Sequence, residues 1–156
     1  MARKSASTEP NSIDLPASLI PFTGFLLNKA AQQAREMFED SIAPLNIRAK
    51  HFGLLSLLNE TGPISQQVAG ARLRVDRTTM VFLLDEMERL KLVVRRRHPT
   101  DRRAHAVCLT SKGKQVRKKA LKIARSVHER LTCPLSKHER ATLNALLQAL
   151  LAEKAN

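Results

Sequence analysis

The sequence predicts a mainly α fold with one small β-hairpin, in the order helix, helix, helix-turn-helix, hairpin, helix, helix. Three observations predict this class. Apolar residues recur at helical spacing over most of the chain. Two short β-branched segments flank a turn, and capping residues stand where the helices are expected to begin. At 156 residues the chain is expected to form one domain, residues 14–156, after a polar and flexible tail at residues 1–13.

The first two helices are predicted before residue 62. A long helix is expected from Pro16 to Ile42, because its apolar residues lie near helical spacing, and Pro44 interrupts it. A second helix, about Ile47 to Asn59, is apolar on most sides and is therefore expected to be central in the core. Gly62-Pro63 ends it, as a glycine past the end of a helix followed by proline commonly does.

Two shorter helices joined by a turn come next. Ser65 is expected to cap a helix from Gln66 to about Arg72, and Asp76 to cap a second from Arg77 to about Leu90. The small residues Ala69 and Gly70 allow the two helices to approach closely, as in a helix-turn-helix. The core side of the second helix is expected to consist of Met80, Leu83, Leu84, Met87 and Leu90.

A hairpin is predicted on either side of Pro99-Thr100-Asp101. Arginines crowd its tip, where the hairpin supplies no counter-charge that would permit their burial. A Thr-x-x-Gly sequence at residues 110–113 then marks the start of a long helix that reaches about Leu131. A Ser-x-x-Glu capping box at residues 136–139 opens the last helix, which is rich in leucine.

The net charge of +13 is concentrated in one quarter of the chain. Between Arg89 and Arg125 there are 14 basic residues and a single acidic one, Asp101, whereas the rest of the chain has 13 of each kind. A merely soluble basic surface would spread the charge. This distribution indicates binding to a polyanion, with nucleic acid as the leading candidate.

Several classes of protein lack support in the sequence. The first residues are not expected to form a signal peptide, and no apolar run is long enough to span a membrane, so a cytoplasmic location is expected. Cys108 and Cys133 are too few for a disulfide framework or a zinc set, and both thiols are expected to be reduced. No phosphate-binding loop, metal-binding histidine spacing or nucleophile motif is present. The sequence therefore predicts neither an enzyme nor a bound metal or cofactor.

The hairpin and the residues after it resemble a known family. Asp101-Arg102-Arg103, followed by Leu109-Thr110-Ser111-Lys112-Gly113, is similar to the wing signature of the MarR (multiple-antibiotic-resistance) regulators. The resemblance implies a winged helix-turn-helix lobe at residues 44–110 and amino- and carboxyl-terminal dimerisation helices within residues 14–43 and 111–156. It also implies a homodimeric transcriptional regulator that binds a pseudo-palindromic operator in double-stranded DNA.

The residues expected to contact DNA lie on the helix-turn-helix and on the hairpin. Arg77, in the first turn of the second helix, can bind guanine through two hydrogen bonds. Ser65 and Gln66 begin a helix, where donors to a phosphate are available. For Phe82 two interpretations remain open, a contact in the groove or packing inside the protein. The full candidate set is Ser65, Gln66, Arg74, Arg77, Thr78, Thr79, Phe82, Arg97, Arg102 and Arg103.

Within the hairpin, Arg102 is the candidate for insertion into a narrow minor groove. Arg103 is a second DNA candidate, with the alternative that it pairs with Asp101, or with Asp85 on the preceding helix, to set the angle of the wing. Lys91 stands where the family usually has glycine, just after the recognition helix.

The resemblance further implies a repressor that is released by a small aromatic or phenolic effector. The candidate effector-binding residues are Phe22, Phe25, Arg48, His51 and Phe52, with ordinary core packing as the alternative for each. A redox role for the two cysteines stays open. A less specific nucleoid-type or RNA-associated binding protein is the alternative function, and the preference for one operator over random DNA separates the two.

Overall fold

The computed structural model describes residues 15–97 and 105–152, without the side chains of residues 97 and 105. The described residues divide into two compact units, one before Ala34 and one from Ala34 onward. The predicted tail at residues 1–13, and Asp101, Arg102 and Arg103 at the tip of the hairpin, lie outside the described residues. The α-helices are α1 (Thr23–Ile42), α2 (Ala49–Thr61), α3 (Gln66–Leu73), α4 (Arg77–Arg89), α5 (Ser111–Leu131) and α6 (Lys137–Ala152), and the strands are β1 (Ile64–Ser65), β2 (Val93–Arg97) and β3 (His105–Leu109).

The first helix begins later than the sequence pattern predicts. The predicted start was Pro16, but Ala17–Leu19 form a 3₁₀ turn and α1 begins at Thr23. Pro21 explains the difference. In a helix running from Pro16, its ring would clash with the carbonyl four residues earlier and its missing N–H would leave that carbonyl unbonded.

The second helix is central, as predicted, but it begins at Ala49 and not at Ile47. Asn46 has a left-handed backbone (φ 56°) and Arg48 is extended, so the helix cannot start before residue 49. Its buried residues join a core that also takes side chains from α4, the sheet and α5. The largest fully buried side chains are Ile42, Leu54, Leu55, Met80, Leu84, Met87, Leu92, His51 and Val107.

The two helices of the predicted helix-turn-helix are α3 and α4. Ser65 Oγ accepts a hydrogen bond from Val68 N at 3.2 Å and Asp76 Oδ1 accepts one from Thr79 N at 2.9 Å, which confirms both predicted caps. At Gly70 an added Cβ would lie 3.0 Å from the carbonyl oxygen of Val75. This contact explains why the smallest residue stands where the turn folds back onto α3.

Among the described residues the sheet has three antiparallel strands in the order β1-β3-β2, one more than the predicted hairpin. The strand β1 pairs Ile64 with Val107, and the hairpin pairs Arg95 with that same Val107 on its other side. A strand of two residues shows no alternation in the sequence, so the pattern could not reveal it.

The last two helices begin with the predicted caps. Thr110 Oγ1 accepts from Gly113 N at 2.9 Å at the start of α5. Ser136 and Glu139 form a reciprocal capping box at the start of α6, with N···O distances of 2.7 and 3.3 Å. A Cβ at Gly113 would lie 2.1 Å from the carbonyl oxygen of Leu92, so the glycine lets α5 pass directly over the end of the α4–β2 turn.

Candidate nucleic-acid interface

The amino-terminal end of α4 presents polar side chains to solvent. Met80, Leu83, Leu84 and Met87 bury the opposite face of the helix, which fixes its orientation on the core. Arg77 and Thr78 are exposed in its first turn, and Thr79 is half-buried. Asp76 accepts the N–H of Thr79, and its hydrogen bonds to Thr79 hold the pKa of the Asp76 carboxyl below its ordinary value. The carboxylate therefore stays charged at neutral pH, where it stabilises the start of the helix.

Phe82 lies on the exposed side of α4, with 69% of its surface accessible. The interpretation that it packs inside the protein is therefore wrong. It follows Thr78 by one helical turn, so the two side chains lie on the same face. An exposed aromatic ring at this place supplies apolar surface, and a thymine methyl group is the base feature that such a ring would match.

An open cleft separates the start of α3 from the start of α4. It has a volume of about 560 Å³, and its lining includes Gln66 and Arg77, which the structure thus brings to one cavity. The hydroxyl of Ser65 accepts from Val68 N but keeps its own proton for a further acceptor. Arg74 is exposed in the turn, with a left-handed backbone (φ 52°) at the end of α3. Gln66 and Arg77 therefore line a space that a phosphate or a base edge can enter, whereas Ser65 and Arg74 are not part of its lining.

The base of the hairpin is tied to α4 through Arg95. Its Nη2 lies 2.7 Å from Asp85 Oδ1, its Nη1 contacts Glu88 Oε2, and its backbone N–H donates to Glu88 Oε1 at 2.8 Å. For Arg103, the sequence left pairing with Asp101 or with Asp85 open, and both Asp101 and Arg103 lie outside the described residues. The structure gives Asp85 a bond to Arg95, which the pattern did not single out for this role. Arg95 is therefore occupied in holding the wing, whereas Arg96 is exposed.

The carboxyl-terminal end of α4 has a residue in the left-handed region. Lys91 has φ 59°, a backbone conformation that favours glycine. Thr110 Oγ1 donates to the Lys91 carbonyl at 2.7 Å, and Lys112 Nζ donates to the Leu90 carbonyl at 2.9 Å. The start of α5 therefore fixes the end of α4. Sequence reasoning missed this role of Lys112.

Two of the candidate effector residues meet at Glu86 on α4. Arg48 Nη2 lies 3.0 and 2.8 Å from the two carboxylate oxygens, and His51 Nε2 lies 3.0 Å from one of them. The backbone N–H of Arg48 donates to His51 Nδ1 at 2.9 Å, so Nε2 carries the ring proton and donates it to Glu86. Burial raises the pKa of Glu86, but the hydrogen bonds from His51 and Arg48 and the positive charge of Arg48 outweigh it and leave the pKa below its ordinary value.

A cavity of about 300 Å³ lies beside this network. Its lining combines basic, acidic and apolar side chains, namely Glu39, Arg48, Lys50, His51, Thr79, Phe82, Leu83 and Glu86. Phe52 packs against Phe38, with ring centroids 5.4 Å apart, and does not line the cavity. Phe22 and Phe25 belong to the first unit, where Phe22 is 62% exposed and Lys29 Nζ lies 5.9 Å from the Phe25 ring centroid.

Within residues 15–97 and 105–152 no group of three or more His, Cys, Asp or Glu side chains has the arrangement of a metal site. No helix in that same part of the chain is long and apolar enough to cross a membrane. Cys108 is half-buried in β3 and Cys133 is exposed in the turn between α5 and α6.

The comparisons with known proteins agree on one family. A family model described as the MarR family matches residues 45–104. A putative transcriptional regulatory protein for the hcr operon of Thauera aromatica is 27% identical over 128 residues, which span 81% of this chain and 77% of that protein.

Two solved structures of DNA complexes are similar to the chain. The transcriptional repressor CouR bound to a 23-mer DNA duplex is 31% identical, with a TM-score of 0.81 over 88% of this chain and 99% of that one. A cysteine-to-serine mutant of MarR from Escherichia coli, complexed with operator DNA, is 28% identical, with a TM-score of 0.78 over the same shares.

Proposed function

This chain belongs to the MarR family of transcriptional regulators, and we propose that it binds a pseudo-palindromic operator as a homodimer and represses transcription until an effector releases it. The observation that carries the proposal is the amino-terminal end of α4. It is capped by Asp76 and held on the core by four buried side chains, and it directs Arg77 and Thr78 outward. A helix presented in this way fits the major groove with its first turns against the base edges.

Base reading is assigned to Arg77, Thr78, Thr79 and Phe82. Arg77 is suited to the two acceptors of guanine, and the exposed Phe82 ring to a thymine methyl group. Ser65, Gln66 and Arg74 serve as phosphate contacts at the start and end of α3. Arg97, Arg102 and Arg103 extend the interface to the minor groove through the wing, which Arg95, Asp85 and Asp101 help to position.

The last helix supports the dimer. Leu143, Leu146, Leu150 and Leu151 on α6 are between 40% and 66% exposed, although leucine gains most from burial. A second copy of the chain is the occupant that the operator symmetry requires, because a two-fold axis in the protein matches a palindrome in the DNA. We place the protein in the cytoplasm, together with the DNA that it regulates.

The cavity beside Glu86 is the proposed entry point for an effector. Arg48 and Lys50 are exposed cations at its rim and Phe82 is an exposed ring, so a small aromatic or phenolic anion matches its lining. Such an anion competes with Glu86 for Arg48 and thus acts on the middle of α4. Loss of operator binding on addition of benzoate-type anions tests this, with Arg48→Gln as the variant that should lose the response.

To test the function, the full chain is used to select duplexes from a random pool, and the selected duplexes are footprinted. We expect an imperfect palindrome whose half-sites are about 34 Å apart, bound by two chains in sedimentation. A selected pool no better than random DNA would favour the nucleoid-type alternative, and binding by one chain would contradict the dimer. Arg102→Ala should weaken binding most where the flanking base pairs are A·T.

A further inference from the structure

The exposed side of α5 carries a row of basic residues, Lys114, Lys118, Lys122 and Arg125, which we call the α5 basic face. Their spacing of four, four and three residues aligns them on one side of the helix, in steps of about 5–6 Å along its axis. Val116, Ala120, Ile123 and Val127 occupy the opposite side and pack toward the protein interior. The face is therefore turned away from the core by the same packing that holds the helix.

Among the residues that the structure describes, no acidic side chain is paired with this row. The sequence contains no Asp or Glu between Asp101 and Glu129. Glu129 is the only acidic residue of α5, and its Oε2 forms an ion pair with Nη1 of Arg140 in α6 at 2.7 Å. Within the described residues, no ion pair involves the four cations. Like charges four residues apart destabilise a helix, so an unneutralised row is unfavourable until an anionic partner arrives.

The position of α5 separates this face from the proposed base-reading residues. Lys112, in the first turn of α5, contacts the carbonyl of Leu90 just past the end of α4. Arg77 begins the other end of α4, and the 13 residues of that helix span about 20 Å. The start of the α5 basic face therefore lies about one helix length from Arg77, away from the base pairs that Arg77 reaches.

Two other occupants fit the face poorly. A second copy of the chain, related by a two-fold axis, would bring the same unneutralised cations together, which is repulsive. A membrane surface needs bulky apolar side chains beside the basic ones, and the apolar residues of α5 are used in the core. The phosphate backbone of a nucleic acid needs only regularly placed cations.

We propose that the α5 basic face binds the phosphate backbone of duplex DNA outside the base pairs read by α4. The proposal rests on the proposed function, because it takes duplex DNA as the partner already present. The DNA phosphates can come from two sources: the flanks of the operator duplex itself, or a second duplex that is bound at the same time. Both offer the same chemistry, and the experiment separates them.

The test compares the full-length wild type with the double variant Lys118→Gln/Lys122→Gln. The matched control is Arg130→Gln/Lys137→Gln, which removes the same charge from exposed positions off the face. One arm measures affinity for the selected core operator alone and for the same core with random flanks. A second arm adds a labelled random duplex to the core complex and looks for a ternary species in sedimentation. A third measures binding to the random duplex alone.

Each lost phosphate contact makes the slope of log affinity against log salt concentration shallower by about 0.9. Between 50 and 200 mM salt, the affinity then falls about 3.5-fold less. For the face variant we expect unchanged affinity for the core operator. Either the extra affinity that the flanks provide or the ternary complex should be lost. The salt slope should be shallower by about two to four units. The control should behave as the wild type.

Equal behaviour of the two variants in all three arms would overturn the proposal. So would a wild type that gains no affinity from the flanks and forms no ternary complex. Failure of the proposed function is a different result, in which the wild type selects no operator. The random-duplex arm then still tests the face.

Discussion

Glu86→Ala tests whether burial decides which of the two partners of Glu86, His51 or Arg48, stabilises α4. His51 has a side chain only 2% exposed, whereas Arg48 is 67% exposed and Glu86 28%. A solvent-exposed ion pair contributes about 0.2–1 kcal/mol, because water screens it. A hydrogen bond from a buried donor to a charged group contributes about 1.5–3 kcal/mol, since the donor cannot turn to water when its partner is removed.

The perturbation is a pair of double-mutant cycles, His51→Ala with Glu86→Ala and Arg48→Ala with Glu86→Ala. The cycle subtracts the cavity left by His51 and isolates each pairwise energy. We expect a coupling free energy of about 1.5–3 kcal/mol for His51–Glu86 and below about 1 kcal/mol for Arg48–Glu86. Urea unfolding at one fixed protein concentration is the assay, because dimer stability depends on concentration. A coupling of Arg48 equal to or greater than that of His51 would refute the reasoning.

Three further predictions concern single positions. Lys91→Gly should raise the free energy of unfolding by about 1 kcal/mol, because glycine adopts φ 59° without strain, and Lys91→Ala should not. Gly113→Ala should lower it by about 1–3 kcal/mol in thermal unfolding, because the new Cβ meets a carbonyl 2.1 Å away, whereas Gly24→Ala, with open space, should not lower it. The lowered pKa of Glu86 means that its contribution to stability is complete above pH 4.5 and is lost as the pH falls through the lowered value. When unfolding is measured from neutral pH downward, the free energy of unfolding should therefore fall less in Glu86→Gln than in the wild type.

Local signals predicted most of the architecture. Ser65, Asp76 and the Ser136–Glu139 box fixed three helix starts within a residue, because each cap is a bond between neighbours in the sequence. The start of α1 was missed because apolar spacing continues across Pro21, and in that stretch the constraint from proline outweighs the spacing. Strand β1 was missed because its pairing with β3 is long-range and only two residues long.

The candidate interface was predicted in part. The exposed end of α4 follows from its apolar stripe, which the sequence displays, and the stripe also turns Phe82 outward. The partners of charged residues were not predictable. Arg95 is one of three consecutive arginines, and only the packing of β2 beside α4 selects it for Glu88 and Asp85. The same holds for Lys112, whose acceptor is 22 residues away in the sequence.

The most direct test of the account is the affinity of Arg77→Ala for the selected operator and for random duplex DNA at one salt concentration. Arg77 begins α4, at the end that we propose to lie against the base edges. We expect a loss of about 1–3 kcal/mol on the operator, with relaxed preference at one base pair in each half-site, and a much smaller loss on random DNA. An equal loss on both duplexes would contradict base reading by the end of α4 and would make Arg77 a phosphate contact.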